Sequence, residues 1–193
     1  MRFLASIKGQ LLSMSWAFGP VVRLFTHTIG FVIESRKSWN SHVSLSEDAK
    51  GELEFWTKCF DRFNGTRAMW EPTHVHSIVF CDAAGKSDKY LGGWGAWTLV
   101  NDSMSQARGN WGARLSAMGS TRQKLQAILN ALRSFTSPAG LRHQVVCVIT
   151  DSLNCVNIIK SGSAKAENSY TIACEIFWHC IAENITLQAE WRP

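Results

Sequence analysis

Two aspartates stand where this sequence offers chemistry. Asp82 closes the apolar run VHSIVFCD, and Asp151 closes the run VVCVIT, so each reads as a lone carboxylate delivered at the end of a central β-strand. If those strands are neighbours, the two acids converge on one edge of the sheet. Hard oxygen ligands at such an edge outline a divalent-metal site, and Mg²⁺ keeps waters there for a phosphate substrate. The histidines offer no comparable pattern. His74 and His76 lie two apart before the first strand, but no third ligand at metal-site spacing accompanies them. Gly92, Gly93 and Gly95 fall in a hairpin strand rather than in a phosphate-binding loop.

The elements that must position these acids are read from periodicity. Leu4, Ile7 and Leu11 recur at helical spacing, and Gly19-Pro20 interrupts the helical pattern. Ser44 with Glu47 has the form of a capping box, ahead of an amphipathic helix through Ala49, Leu53, Trp56, Phe60 and Phe63 that stops at Asn64-Gly65. Its aromatic stripe reads as core. After Glu71-Pro72 the period becomes that of strands. Ser77 to Ala83 is apolar on both faces apart from Asp82, which predicts a strand covered on two sides. Gly92 to Val100 and Gln106 to Trp111 complete an antiparallel meander.

Ser120 to Gln123 again has capping-box form, before an apolar helical face of Leu125, Ile128, Leu129, Leu132 and Phe135. Lys124 lies one turn before Ile128, at the margin of that face. A short apolar strand from Val145 to Thr150, two helices and a strand from Ile185 to Trp191 complete the chain. The predicted order is three strands, helix, strand, helix, helix, strand.

The net charge of +5 is modest, but its distribution is uneven. No Asp or Glu occurs between Asp102 and Asp151, while Arg108, Arg114, Arg122, Lys124, Arg133 and Arg142 all fall there. That bias favours a polyanionic partner. A solvated basic face is the bland alternative. The six cysteines are never spaced as CxxC, and several sit inside apolar runs. They suit reduced core residues of a cytoplasmic or nuclear protein, not a secreted one. Lys8, Gly9 and Gln10 interrupt the apolar start, which argues against a signal peptide, and no run is long enough to span a membrane.

The ordered series VFCDAAG, GGWGAW, GSTRQKLQAI, VITDSLNCVNIIKSGS and ITLQAEWRP resembles the ribonuclease H domain of retroelement reverse transcriptases. The similarity is closest to DIRS-type tyrosine-recombinase retrotransposons, in which a segment like LASIKGQLLSMSWAFGPVVRLFT joins polymerase to ribonuclease H. The resemblance implies an α/β fold: a ribonuclease H-like mixed five-stranded sheet, three antiparallel strands then two more, flanked by helices. It implies residues 1–72 as a helical connecting region and 73–193 as a C-terminally truncated ribonuclease H-like domain. The implied activity is hydrolysis of the RNA strand of an RNA/DNA hybrid with two Mg²⁺ ions held by a carboxylate cluster. Asp82 and Asp151 match the catalytic, metal-holding aspartates of that cluster.

The family's glutamate belongs where Lys124 stands, and its last aspartate would come after Pro193. The expectation is an enzyme impaired as the chain stands, still binding nucleic acid through Arg108, Arg114, Arg122 and Arg133. The alternative is a non-catalytic nucleic-acid-binding or structural connector module, and the rest of a reverse-transcriptase polyprotein is a further expected partner.

Overall fold

The computed structural model describes residues 1–63, 74–100, 103–137, 140–164 and 167–193. The chain divides into two compact units, Met1–Glu71 with Ser161–Ser163, and Pro72–Lys160 with Ala164–Pro193.

The first unit is helical, with α1 (Arg2–Ser13), α2 (Ser15–Phe18), α3 (Val21–Leu24), α4 (His27–Glu34) and α5 (Glu47–Phe63). The break at Gly19-Pro20 separates α2 from α3, and Gly19 takes a φ of 73°. Two aromatics of the predicted α5 stripe meet Phe18, Trp56 edge-on and Phe60 at 5.0 Å, while Phe55, which lies outside that stripe, is also buried and stacks on Phe25 at 3.8 Å. The cap differs from the expected one. Ser46 Oγ, not Ser44, accepts the N–H of Ala49 at 3.2 Å. The predicted stop at Asn64-Gly65 lies outside the described residues.

α5 also carries a buried carboxylate. Glu52 accepts the N–H of Thr28 at 2.7 Å and of Ile29 at 2.9 Å, one on each oxygen. These amides open α4 and have no partner within the helix, so a side chain from another helix supplies the cap.

The second unit holds β1 (Ser77–Ala84), β2 (Gly93–Val100), β3 (Ser103–Asn110), α6 (Ala113–Ser116), α7 (Ser120–Thr136), β4 (Val145–Thr150), α8 (Leu153–Ser161), α9 (Glu167–Ala182) and β5 (Thr186–Trp191). The strands form one mixed sheet in the order β3-β2-β1-β4-β5. The first three are antiparallel, while β4 runs parallel to both β1 and β5. α7 lays Leu125, Ile128, Leu129, Leu132 and Phe135 on one face of the sheet, against Val79, Cys81, Ala96, Val146 and Val148. α9 packs beside α7 and adds Ile172, Ile176 and Cys180 to that core.

β1 corrects the expectation of a strand covered on two sides. Val79 and Cys81 are buried under α7, but Ile78 and Asp82, on the opposite face, are exposed. An alternating strand with apolar residues at both phases needs a second layer to bury both. Over β1 that layer is missing among the described residues, whereas β4 is buried from Val146 to Thr150.

The second capping box is likewise absent. α7 begins after Gly119 with no side-chain cap, and Gln123 is buried, donating Nε2 to the carbonyls of Leu115 at 3.0 Å and Ser116 at 3.3 Å. Gln123 therefore ties the end of α6 to the start of α7. None of the six cysteines forms a disulfide. No helix among the described residues is long and apolar enough to cross a membrane.

Candidate active site

The connection from β1 to β2 is held by its glycine and by two side chains from beyond the meander. Gly92 has a φ of +81°, and a Cβ there would lie 2.4 Å from the carbonyl of Ala84, so the turn admits no side chain at this position. Trp111 Nε1 donates to that same carbonyl at 3.0 Å, and Ser116 Oγ donates to the carbonyl of Leu91 at 2.6 Å. The end of β1 is thereby fixed, and Asp82 with it.

Asp151 sits where β4 gives way to α8. Its backbone is held by β5: Trp191 Nε1 donates to the Asp151 carbonyl at 3.1 Å, and the N–H of Arg192 donates to the carbonyl of Thr150 at 3.0 Å. Ser152 Oγ then accepts the N–H of Cys155 at 3.3 Å and starts α8. Because β1 and β4 are parallel neighbours with Phe80 beside Ile149, the residues two further on, Asp82 and Asp151, emerge at the same edge. The two predicted acids converge.

Between them lies Lys124. Its ammonium donates to both carboxylate oxygens of Asp151 and stands 3.6 Å from Asp82 Oδ1. The lysine side chain is 17% exposed, against 45% for Asp151 and 74% for Asp82. Desolvation draws the Lys124 pKa down, but the hydrogen bond and charge of Asp151 and the charge of Asp82 outweigh it, and the pKa is raised above the ordinary lysine value. At neutral pH Lys124 is thus a fixed cation, neither a base nor a nucleophile. Burial above all pushes the Cys81 thiol up to about 12, so no thiolate lies beneath the carboxylates.

Mg²⁺ requires oxygen ligands arranged octahedrally around it. Here three N–H donors of an ammonium occupy the space between the two acids. Among the described residues no third His, Cys, Asp or Glu joins them in a group able to hold a metal ion. The side chains as they stand do not fit a divalent ion.

The predicted arginines are dispersed. Arg108, on β3, shares with Asp82, Asp151, Trp97 and Arg192 the lining of an open cavity of about 1070 Å³. Arg114 is exposed on α6, and Arg122 comes next in the first turn of α7, its Nε buried without a partner. Arg133 is in the last turn of α7, nine positions beyond Lys124, and is tied to Glu175 at 3.1 Å. His76 is engaged with the backbone of β4, since its Nδ1 accepts the N–H of Val145 at 3.1 Å.

No protein-family model matches the sequence, and no curated protein does. Solved structures do match. Ribonuclease H1 from the halophilic archaeon Halobacterium salinarum superposes with a TM-score of 0.50 at 10% identity, covering 61% of this chain and 85% of that one. The N-terminal ribonuclease H domain of a Mycobacterium tuberculosis protein gives 0.49 at 13% identity, over 61% and 86% of the two chains. The prototype foamy virus protease-reverse transcriptase gives 0.41 at 14%, over 64% of this chain and 18% of that one. The second unit has the ribonuclease H-like fold.

Proposed function

We propose that the chain is a ribonuclease H-like module of a retroelement reverse transcriptase, in which hydrolysis has been lost and nucleic-acid binding kept. The observation that supports the reading best is the Lys124 ammonium lodged between Asp151 and Asp82 on a ribonuclease H-like sheet. Two-metal hydrolysis needs carboxylates free to hold cations about 3.5–4 Å apart. A lysine in place of a glutamate changes the local charge by about two units, against any such pair of dications.

The reverse-transcriptase origin, its DIRS-type affinity and the assignment of residues 1–72 as connecting region and 73–193 as ribonuclease H-like domain rest on the ordered motifs. So does the choice of an RNA/DNA hybrid as ligand. Arg108, Arg114 and Arg122 are the cations offered to its phosphates, with Arg133 held back by Glu175. Backbone and shape, rather than base sequence, govern recognition of this kind.

The test incubates the purified chain with a labelled RNA/DNA hybrid in Mg²⁺. We expect no metal-dependent cleavage, and binding that weakens as salt rises. Arg114→Ala and Arg122→Ala should each lower the log–log salt slope by about one. Robust cleavage that Asp82→Asn abolishes would overturn the loss of hydrolysis, and salt-insensitive binding would remove the nucleic-acid ligand.

A further inference from the structure

The helical first unit carries a charge cluster of its own. No Asp or Glu precedes Glu34 in the sequence, while Arg2, Lys8 and Arg23 all do. Along α4, His27, Gly30, Phe31 and Glu34 follow the spacing i, i+3, i+4, i+7 and so share one face. α1 packs against α4 and lays Lys8 across that face. A Cβ on the buried Gly30 would lie 2.3 Å from the Lys8 ammonium, and among the described residues beyond the helix's own backbone only Lys8 comes within 4 Å of it. Glycine weakens a helix interior relative to alanine. Here it leaves space for a cation.

Lys8, Arg23, His27, Phe31 and Glu34 line one cavity of about 280 Å³. Among the described residues neither Lys8, Arg23 nor Glu34 forms an ion pair or a side-chain hydrogen bond. Glu34 is therefore not the counter-ion of either cation. A half-buried ammonium has three donors to satisfy, and no acceptor of the chain meets them. Phe31 is 53% exposed, and its ring is steadied by His27 in a T-shaped contact at 4.8 Å.

We infer that this cavity binds a nucleoside monophosphate, either free or at the 5′ end of a strand. The phosphate dianion takes the two cations, Lys8 and Arg23. The base lies on the exposed ring of Phe31, a contact open to any base because each has a π-face. Glu34 accepts from the hydroxyl or amino groups of the same ligand and repels an anion that has none. Pockets for small ligands begin at roughly 300 Å³, so the volume suits one nucleotide rather than a duplex. The site uses none of Asp82, Lys124 and Asp151, and it does not rest on the proposed binding of hybrid.

The test is isothermal titration calorimetry of the full chain with adenosine 5′-monophosphate. One molecule bound per chain is expected, with adenosine and inorganic phosphate each weaker by about tenfold or more. A 5′-phosphorylated oligonucleotide that binds as tightly as the mononucleotide assigns the site to a strand end, and one that binds more weakly assigns it to the free nucleotide. Lys8→Gln should weaken binding about tenfold at an unchanged melting temperature. Gly30→Ala separates binding from folding: alanine strengthens α4 while its methyl group displaces the ammonium, so the melting temperature should hold or rise as affinity falls. Absence of binding, inorganic phosphate held as tightly as the nucleotide, or parental affinity in both variants would overturn the inference.

Discussion

Lys124 donates to both carboxylate oxygens of Asp151 across the junction of α7 with β4, joining residues 27 positions apart. A pair of acids that would repel one another at the sheet edge is held by a cation of the protein's own.

Removing that cation should cost stability. Lys124→Met leaves Asp82 and Asp151 facing each other, and we expect a loss of about 1 kcal/mol at neutral pH, at the upper end of the range for exposed ion pairs. Urea unfolding followed by circular dichroism measures it, and a variant as stable as the parent would contradict the role.

The same pair sets a pH window. The Lys124 pKa is raised in the folded protein, so its contribution is fully present below the unfolded lysine pKa, about 10.4, and is lost as pH rises through the folded value. The stability difference between the parent and Lys124→Met should therefore stay level to about pH 10 and shrink above it.

Lys124→Glu should convert the cluster into three acids. We expect Mg²⁺ to raise the melting temperature of this variant but not of the parent, with little cleavage of hybrid in either. Equal Mg²⁺ stabilisation of the parent would place the ion somewhere other than between Asp82 and Asp151.

His179 gives the opposite pH dependence. Burial, with Arg133 nearby, lowers its pKa against the pull of Glu183, and its Nε2 lies 2.9 Å from Thr136 Oγ1 at the contact of α9 with α7. A base whose folded pKa is depressed contributes stability above its unfolded pKa, about 6.5, and that stability falls as pH drops below it. His179→Gln should remove this part of the acid slope in melting temperature between pH 7 and 5.

Glu52→Ala leaves two N–H groups of α4 without their acceptor. Hydrogen bonds to a charged group contribute roughly 1.5–3 kcal/mol, so a loss of about 2 kcal/mol is expected in the first unit. Faster amide exchange at Thr28 and Ile29 is the accompanying signature.

The order of elements along the chain is legible in the sequence, and so is the placing of each acid at the end of an apolar run, but the meeting of Asp82 with Asp151 depends on β1 and β4 being parallel neighbours, which the periodicity of neither strand contains. Lys124 is legible from its place one turn before Ile128. The open face of β1 is not. The run Ser77 to Ala83 reads the same whether one face is covered or two, and what covers it depends on distant chain. The caps fail for a related reason. Gln123 has the spacing to reach back to Ser120 but satisfies two carbonyls of α6 instead, and Ser44 and Ser46 offer competing starts to one helix. Nothing in the local pattern of α5 marks Glu52 as a cap, because its partners lie 23 and 24 residues away.

Trp191 holds the Asp151 carbonyl from 40 residues further along the chain. The acid cluster is thus built from segments of high sequence separation, whose pairing must meet loop-closure entropy before it gains any contact. The backbone hydrogen bonds of α7 are local in sequence, but the Lys124–Asp151 pair waits for β4, and its backbone anchor waits for β5. A chain released or cleaved before Trp191 would keep much of its helical content while lacking the bond that fixes Asp151.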